Sequence, residues 1–272
     1  MPLMKTTKNY EILCFYTDYK DKLSPQALVG LFQDAASNQS NFLGVGYDYM
    51  QAHNLIWVLL KYNIVINRMP KFREKIKIIT YPMYYERFYV YRKFEVYDEN
   101  ENLISYAYST WTIVNVETKK LCRITHDLIK AYGFTTKDRF FEKISFNNIE
   151  KIKEADIEKN FQIRYLDIDH NLHVNNTKYI AWAIESIPFD IATECNLSHM
   201  DVIYRKEIQY GNMVNIKSKI NDFEDKVEII HMVNSEDGDL LCQLKTVWSR
   251  KNGSNDSECN EGDEMNEAGH KS

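Results

Sequence analysis

Asn160-Phe161-Gln162-Ile163, followed shortly by Asp169-His170-Asn171-Leu172-His173, repeats an earlier stretch of the chain. Residues 9–36 moved forward by 151 positions fall on 160–187 without a gap. Asn9 meets Asn160, Tyr10 meets Phe161, Ile12 meets Ile163, Asp18 meets Asp169 and Leu31 meets Trp182. Two polar positions break the match: Lys20 stands opposite Asn171, and Lys22 opposite His173. A duplicated unit with an amide and an imidazole in only one copy reads as a scaffold with a single site.

Working outward, each copy opens with a short apolar run, at 10–16 and at 161–166, read as a strand. In the first copy Ser24-Pro25 supplies an N-cap and a first-turn proline, and Ala27, Leu28, Leu31, Phe32 and Ala35 recur at helical spacing. In the second, Asn175 or Asn176 caps a helix whose apolar side is Tyr179, Ile180, Trp182, Ala183 and Ile187, ended by Pro188. Strand patterns follow at 55–67, 74–83, 86–98 and 103–115, and again at 201–210, 213–221, 225–233 and 239–249. Asp98-Glu99-Asn100 and Asp237-Gly238 mark hairpin turns. Leu103, Ile104 and Trp111 match Leu240, Leu241 and Trp248 at an offset of 137, so the duplication reaches both ends of the unit. This order predicts an α+β protein in which an antiparallel sheet wraps a helix, twice. The expected divisions are 1–125, a charged linker at 126–158, 159–250, and an acidic tail at 251–272 expected to be disordered.

The net charge of −5 sits mostly in that tail, where two lysines face six acids, so the body is nearly neutral. No basic stripe suited to nucleic acid is present. Five scattered cysteines without C-x-x-C spacing fit a reducing cytoplasm and suggest neither disulfides nor a metal site, and no cofactor motif is found. No window approaches the roughly 18 apolar residues of a membrane span, and the start lacks a signal-like run. The expected location is cytoplasmic.

Asp169, Asn171 and His173 lie at two-residue spacing before the second helix. In an extended loop they would project to one side. Asp169 would then accept from the Asn171 side-chain amide, while His173 offers a group that titrates near neutrality. Unpaired N–H groups around Val174–Asn176 could hold an oxyanion. The plain alternative is a loop of ordinary turn residues with a solvated histidine. Against it, the first copy builds the same loop with Lys20 and Lys22.

The run Asp167-Ile168-Asp169-His170-Asn171-Leu172-His173-Val174-Asn175-Asn176 resembles the signature of plant and bacterial acyl-acyl carrier protein thioesterases. So do Tyr179-Ile180-Ala181-Trp182, Glu185-Ser186-Ile187-Pro188 and Tyr204-Arg205-Lys206-Glu207, and in the first half Leu55-Ile56-Trp57-Val58 and Ser109-Thr110-Trp111 to Asn115. The likeness runs from about residue 8 to residue 249. It implies two tandem hotdog folds, with an acyl-chain pocket in the first and catalysis in the second. The implied partner is an acyl carrier protein bearing a fatty acyl chain. Asp169, Asn171, His173 and Glu207 fall on the family's site residues. The cysteine that follows this glutamate in the family's Tyr-Arg-Arg-Glu-Cys run is Ile208 here.

Neighbours on a strand face opposite sides, and isoleucine cannot attack a thioester. The implied route is therefore attack by water. Glu207 and His173 would position and deprotonate it, Asn171 and helix-start N–H groups would hold the oxyanion, and Asp169 would hold Asn171. Which of Glu207 and His173 takes the proton stays open. The rivals are a thioesterase for coenzyme A esters and a non-hydrolytic hotdog, either a hydratase or a lipid-binding module. The aromatic stretch from Tyr81 to Tyr91 is either an ordinary strand or a wall for the acyl chain. Lys61, Arg68, Lys71, Arg73, Lys75 and Lys77 are candidates for docking an acidic carrier, or simply a charged edge. Pairing into a homodimer remains open.

Overall fold

Strand β1 (Thr6–Glu11) leads through a single 3-10 turn into helix α1 (Pro25–Phe42), then α2 (Tyr47–Ala52). Strands β2 (Leu55–Ile66), β3 (Lys75–Glu86), β4 (Tyr89–Tyr97), β5 (Leu103–Asn115) and β6 (Leu121–Cys122) follow, with α3 (His126–Ala131) closing the half. The second half repeats the plan with β7 (Ile157–Gln162), a 3-10 turn, α4 (Asn176–Glu185), α5 (Phe189–Glu194), β8 (Cys195–Tyr204), β9 (Met213–Asp222), β10 (Lys226–Ser235) and β11 (Leu240–Arg250). The structure is a computed structural model and describes residues 4–134, 144 and 146–250. The tail expected to be disordered lies outside the described residues.

The first strand of each half lies four residues earlier than its aromatic residues suggested. Cys14–Tyr16 and Tyr165–Asp167 are 3-10 turns instead, swinging the chain from sheet to helix. Strand β8 begins at Cys195, with the unforeseen α5 just before it. The central helices also differ in length. Ser24 caps α1 by accepting from the Ala27 N–H, and the helix runs 18 residues; α4 runs only 10. Pro188 stops it, because its ring and missing N–H disfavour helix at and just before it.

The two sheets fuse into one. Strands β2 and β8 pair antiparallel, Lys61 opposite Ile203 and Asn63 opposite Asp201, giving the order β1-β3-β4-β5-β2-β8-β11-β10-β9-β7. Helices α1 and α4 share the concave side, so Phe32, Tyr62 and Phe94 belong to one core with Trp182, Val202 and Trp248. Each such buried side chain contributes roughly 1.5–3 kcal/mol. On the other face, Ile144 N–H donates to Tyr84 Oη (3.2 Å) and the Ile149 carbonyl accepts from Gln243 Nε2 (3.4 Å). Ile144 and Ile149, between the halves, are therefore tied to the fused sheet. Asp201 accepts from Asn63 Nδ2 (2.7 Å) and pairs with His199 Nε2 (3.1 Å), which braces the seam.

The first half has a second apolar cluster built on Val45, Met50, Val90, Ile113, Leu128, Tyr132 and Phe134. It lies past the point where α4 would have ended. Leu128 to Phe134 thus pack with the first half, inside the stretch expected as linker. A bulge between Pro82 and Tyr84 splits the aromatic stretch between faces. Tyr85 turns inward onto Phe134 (4.9 Å), while Tyr84 stacks on Tyr91 (4.3 Å) beside Ile144.

Candidate active site

The loops before α1 and α4 are folded alike and share most of their bonds. Asp169 N–H donates to the His173 carbonyl (2.8 Å) and Leu172 N–H to the Asp169 carbonyl (3.1 Å). In the first half Asp18 N–H donates to Lys22 (2.8 Å) and Asp21 N–H to Asp18 (3.1 Å). The left-handed residues coincide as well, Leu172 at φ 65° and Asp21 at φ 55°. The loop is thus a tight turn, not the extended segment expected from the spacing. Asp169 Oδ1 accepts the backbone N–H of Asn171 (2.8 Å), as Asp18 Oδ1 accepts that of Lys20 (2.9 Å). Asp169 consequently shapes the turn and leaves the Asn171 side chain alone, contrary to the expected side-chain bond. The Asn171 amide makes no hydrogen bond to the described residues.

The same bonding locates the carboxylate. Val174 N–H donates to the Ile208 carbonyl (3.0 Å), and Leu23 N–H to that of Pro70 (2.8 Å). Arg205 and Lys206 N–H share the Leu241 carbonyl, just as Asn67 and Arg68 share that of Ile104. Glu207 therefore occupies the position of Met69. Its side chain is 63% exposed and its Oε2 lies 3.3 Å from Nδ1 of His173, which is 21% exposed. Ile208 turns the other way into the core at 9% exposure. The structure brings His173 and Glu207 together from residues 34 positions apart. It attaches Asn171 and Asp169 through backbone.

The helix start offers less than expected. Val174 N–H is taken by Ile208, Asn175 N–H by the Asp167 carbonyl (2.8 Å), and Thr177 N–H by the cap Asn175 Oδ1 (2.9 Å). Only Asn176 N–H keeps no partner among the described residues at that end. Sequence reasoning passed over Asp167, which is fully buried beneath the turn. Burial works to raise its carboxyl, but the Arg164 N–H and guanidinium and the Lys178 ammonium hold it below the usual range. Tyr16 fills that position in the first copy, the signal that could have flagged it. Tyr204 Oη adds a bond to the Asn176 carbonyl (3.0 Å).

Each loop leans on the opposite half. His170 meets Tyr47 of α2 edge-on at 5.3 Å, and its counterpart Tyr19 stacks on Phe189 of α5 at 6.0 Å. The site with the histidine thus opens beside α2 and the second apolar cluster. Arg68, Lys71, Arg73, Lys75 and Lys77 lie at or beyond the opposite end of β2, away from that site. Arg68 and Lys77, two of the six expected docking cations, are moreover engaged by Glu74, Asp98 and Glu101. Among the described residues no cluster of His, Cys, Asp and Glu could hold a metal ion, and no helix is long and apolar enough to cross a membrane.

Two sheet-wrapped helices joined edge to edge, with one histidine–glutamate pair at one end, define a double hotdog protein. Residues 4–132 match the acyl-ACP thioesterase N-terminal domain and residues 150–250 its C-terminal domain; the chain belongs to the acyl-ACP thioesterase family. It is 25% identical to a chloroplastic acyl-[acyl-carrier-protein] hydrolase of Cuphea viscosissima, over 84% of this chain and 58% of that one. It is 26% identical to a chloroplastic palmitoyl-acyl carrier protein thioesterase of Arabidopsis thaliana, over 90% and 64%. The chain thus spans about three-fifths of the length of these curated relatives. Among solved structures, a provisionally assigned oleoyl thioesterase of Lactobacillus plantarum superposes with a TM-score of 0.84 at 25% identity, over 92% and 97% of the two chains. The 12:0-ACP thioesterase of Umbellularia californica shares the fold at a TM-score of 0.76 and 20% identity, over 91% and 98%.

Proposed function

We propose that the protein hydrolyses the thioester of an acyl-acyl carrier protein and releases the free fatty acid. The observation that carries this reading is the 3.3 Å approach of His173 Nδ1 to Glu207 Oε2 beside an unengaged Asn171 amide. Glu207 favours the tautomer with a proton on Nδ1, which leaves Nε2 to take a proton from water. The water oxygen adds to the thioester carbonyl carbon. Asn171 and the Asn176 N–H donate to the oxygen on which charge develops. The C–S bond then breaks, and imidazolium returns its proton to the departing sulfur as thiol. Asp169 holds the turn that presents Asn171, and Asp167 anchors the turn from below. No cysteine takes part.

The acyl chain would run past α2 into the second cluster of the first half. Its far wall is Arg92, 4% exposed, whose guanidinium donates to Gln39 Oε1 (2.7 Å) and Thr80 Oγ1 (3.1 Å). Val90 before it belongs to the second cluster and Phe94 after it to the main core. A buried cation there ends an apolar channel, because burying methylenes against it forfeits the gain of apolar contact. Thiol release from one acyl group carried on acyl carrier protein and on coenzyme A tests the reading. Faster turnover of the carrier ester is expected; turnover of the coenzyme A ester alone, or of neither, overturns it.

A further inference from the structure

The end of the molecule opposite the candidate active site carries an open cleft of about 970 Å³. Its lining includes the first-copy loop with Lys20 and Lys22, the Met69 that stands where the second copy has Glu207, and the second-half segment around α5. The cleft is therefore the first copy's counterpart of the catalytic site, built by largely the same backbone bonds with different side chains.

The substitutions change what can be held. An amide, an imidazole and a carboxylate become two ammonium groups and a thioether. Lys22 lies directly opposite Lys71 in an isolated bridge pair, a juxtaposition of like charges that is unfavourable until an anion enters. Lys22 Nζ reaches Asn196 Oδ1 (3.0 Å) and Lys159 Nζ the Glu185 carbonyl (2.8 Å), both neutral acceptors. Two carboxylates share the cleft, Asp18 and Glu185. Asp18 is occupied by the backbone N–H groups of Lys20 and Lys22. The rest of the wall mixes polar groups, Arg68 among them, with an apolar strip that includes Leu23, Ile187, Leu197 and Trp248, flanked by the stacked pair Tyr19 and Phe189.

We propose that this cleft binds a long-chain fatty carboxylate, its head between Lys22 and Lys71 and its chain along Leu23, Met69, Ile187 and Leu197. The same shape that receives an acyl chain at a neutral thioester thus receives one ending in an anion. A volume of this size is ample for a C16 chain, in the range of ordinary small-molecule sites. The choice of a fatty acid rests on the acyl substrate proposed above.

Calorimetric titration of the full chain with palmitate is expected to show two molecules bound. Lys22→Met with Lys71→Met should remove one of them or weaken it at least tenfold, whereas Lys22→Arg with Lys71→Arg should retain it. Hexadecanol, lacking the carboxylate, should occupy the cleft at least tenfold more weakly. To avoid reliance on variants, the wild-type protein is photolabelled with a fatty acid bearing a diazirine near its methyl end. Labelling within 184–198 supports the site. A single bound molecule, equal binding of the alcohol, binding unmoved in the methionine variant, or labelling confined to 47–57 overturns it. Hydrolysis is measured separately: an inactive protein that still labels at 184–198 sinks the enzyme reading alone.

Discussion

The two halves build one loop twice and use it differently. Asp18 and Asp169 receive the same backbone N–H, and Asp21 and Leu172 share the same left-handed conformation. The chemistry differs most at three equivalent positions, Lys20, Lys22 and Met69 against Asn171, His173 and Glu207, besides Tyr16 against Asp167 and Tyr19 against His170. The aspartate common to both copies therefore belongs to the scaffold, and the amide, imidazole and carboxylate found in one copy are the groups to which the proposed reaction gives its roles. The interiors part company in the same way. Strand pairing sets Arg92 and Phe94 opposite Ser109 and Ala107, and Ile229 and His231 opposite Thr246 and Leu244. At matched positions one half buries a guanidinium where the other has isoleucine, and a phenyl ring where the other has imidazole. His231 is fully buried and is satisfied by Ser218 Oγ (2.9 Å) and Thr246 Oγ1 (3.2 Å).

The sharpest way to break the comparison is at the three exchanged positions. His173→Ala or Glu207→Gln should lower kcat/KM for an acyl carrier thioester by 10²–10⁴-fold, the usual worth of general base assistance. Lys22→Ala, in the matching position, should leave it within about twofold. Asn171→Ala should cost roughly 10²–10³-fold as a lost oxyanion donor, whereas Asp169→Asn, which keeps an acceptor for the turn, should cost under tenfold. Installing Lys20→Asn, Lys22→His and Met69→Glu together in the His173→Ala background should restore nothing, since α4 is too short for a second cluster at that end. Recovered hydrolysis there would show that side chains alone decide.

His231→Phe makes the second interior resemble the first. Burial pushes the His231 pKa down to about 3, so the fold holds it neutral while the unfolded chain protonates it near 6.5. Its contribution is whole above pH 6.5 and is lost as pH falls from there toward 3, by several kcal/mol in all. Urea midpoints measured across that window should fall steeply in the natural protein and much less in the variant. Arg92→Leu should extend the accepted acyl chain, with kcat/KM rising about fourfold for each further methylene accommodated. A chain-length profile reads it, and an unmoved profile removes Arg92 from the channel. Smallest is the turn itself: Leu172→Asn should stabilise by about 1 kcal/mol by relieving the left-handed strain, and Asp21→Leu should cost a similar amount. Denaturant midpoints check both.

Much of this was legible because it is local. The duplication, the capped helices and the strand order follow from residue periodicity, which the chain carries residue by residue. Glu207 and Ile208 do face opposite ways, but strand β8 ends at Tyr204, so strand alternation is not the reason. The start of the first strands misled, since Phe15, Tyr16, Tyr165 and Leu166 look like strand residues but sit in 3-10 turns. The helix-start donors misled too, because their partners, Ile208 and Asp167, reach them only through folding.

By itself, then, the sequence determined that there are two copies, that only one carries an amide, an imidazole and a glutamate, and that no thiol stands at position 208. Only the tertiary structure decided that both sheets fuse through β2 and β8, that Asp169 serves the turn, and that His173 faces Glu207. It also left a lysine-lined cleft where the first copy lacks the amide, the imidazole and the carboxylate. Alternation and helical repeat are properties of neighbours along the chain, whereas the meeting of side chains depends on long-range packing.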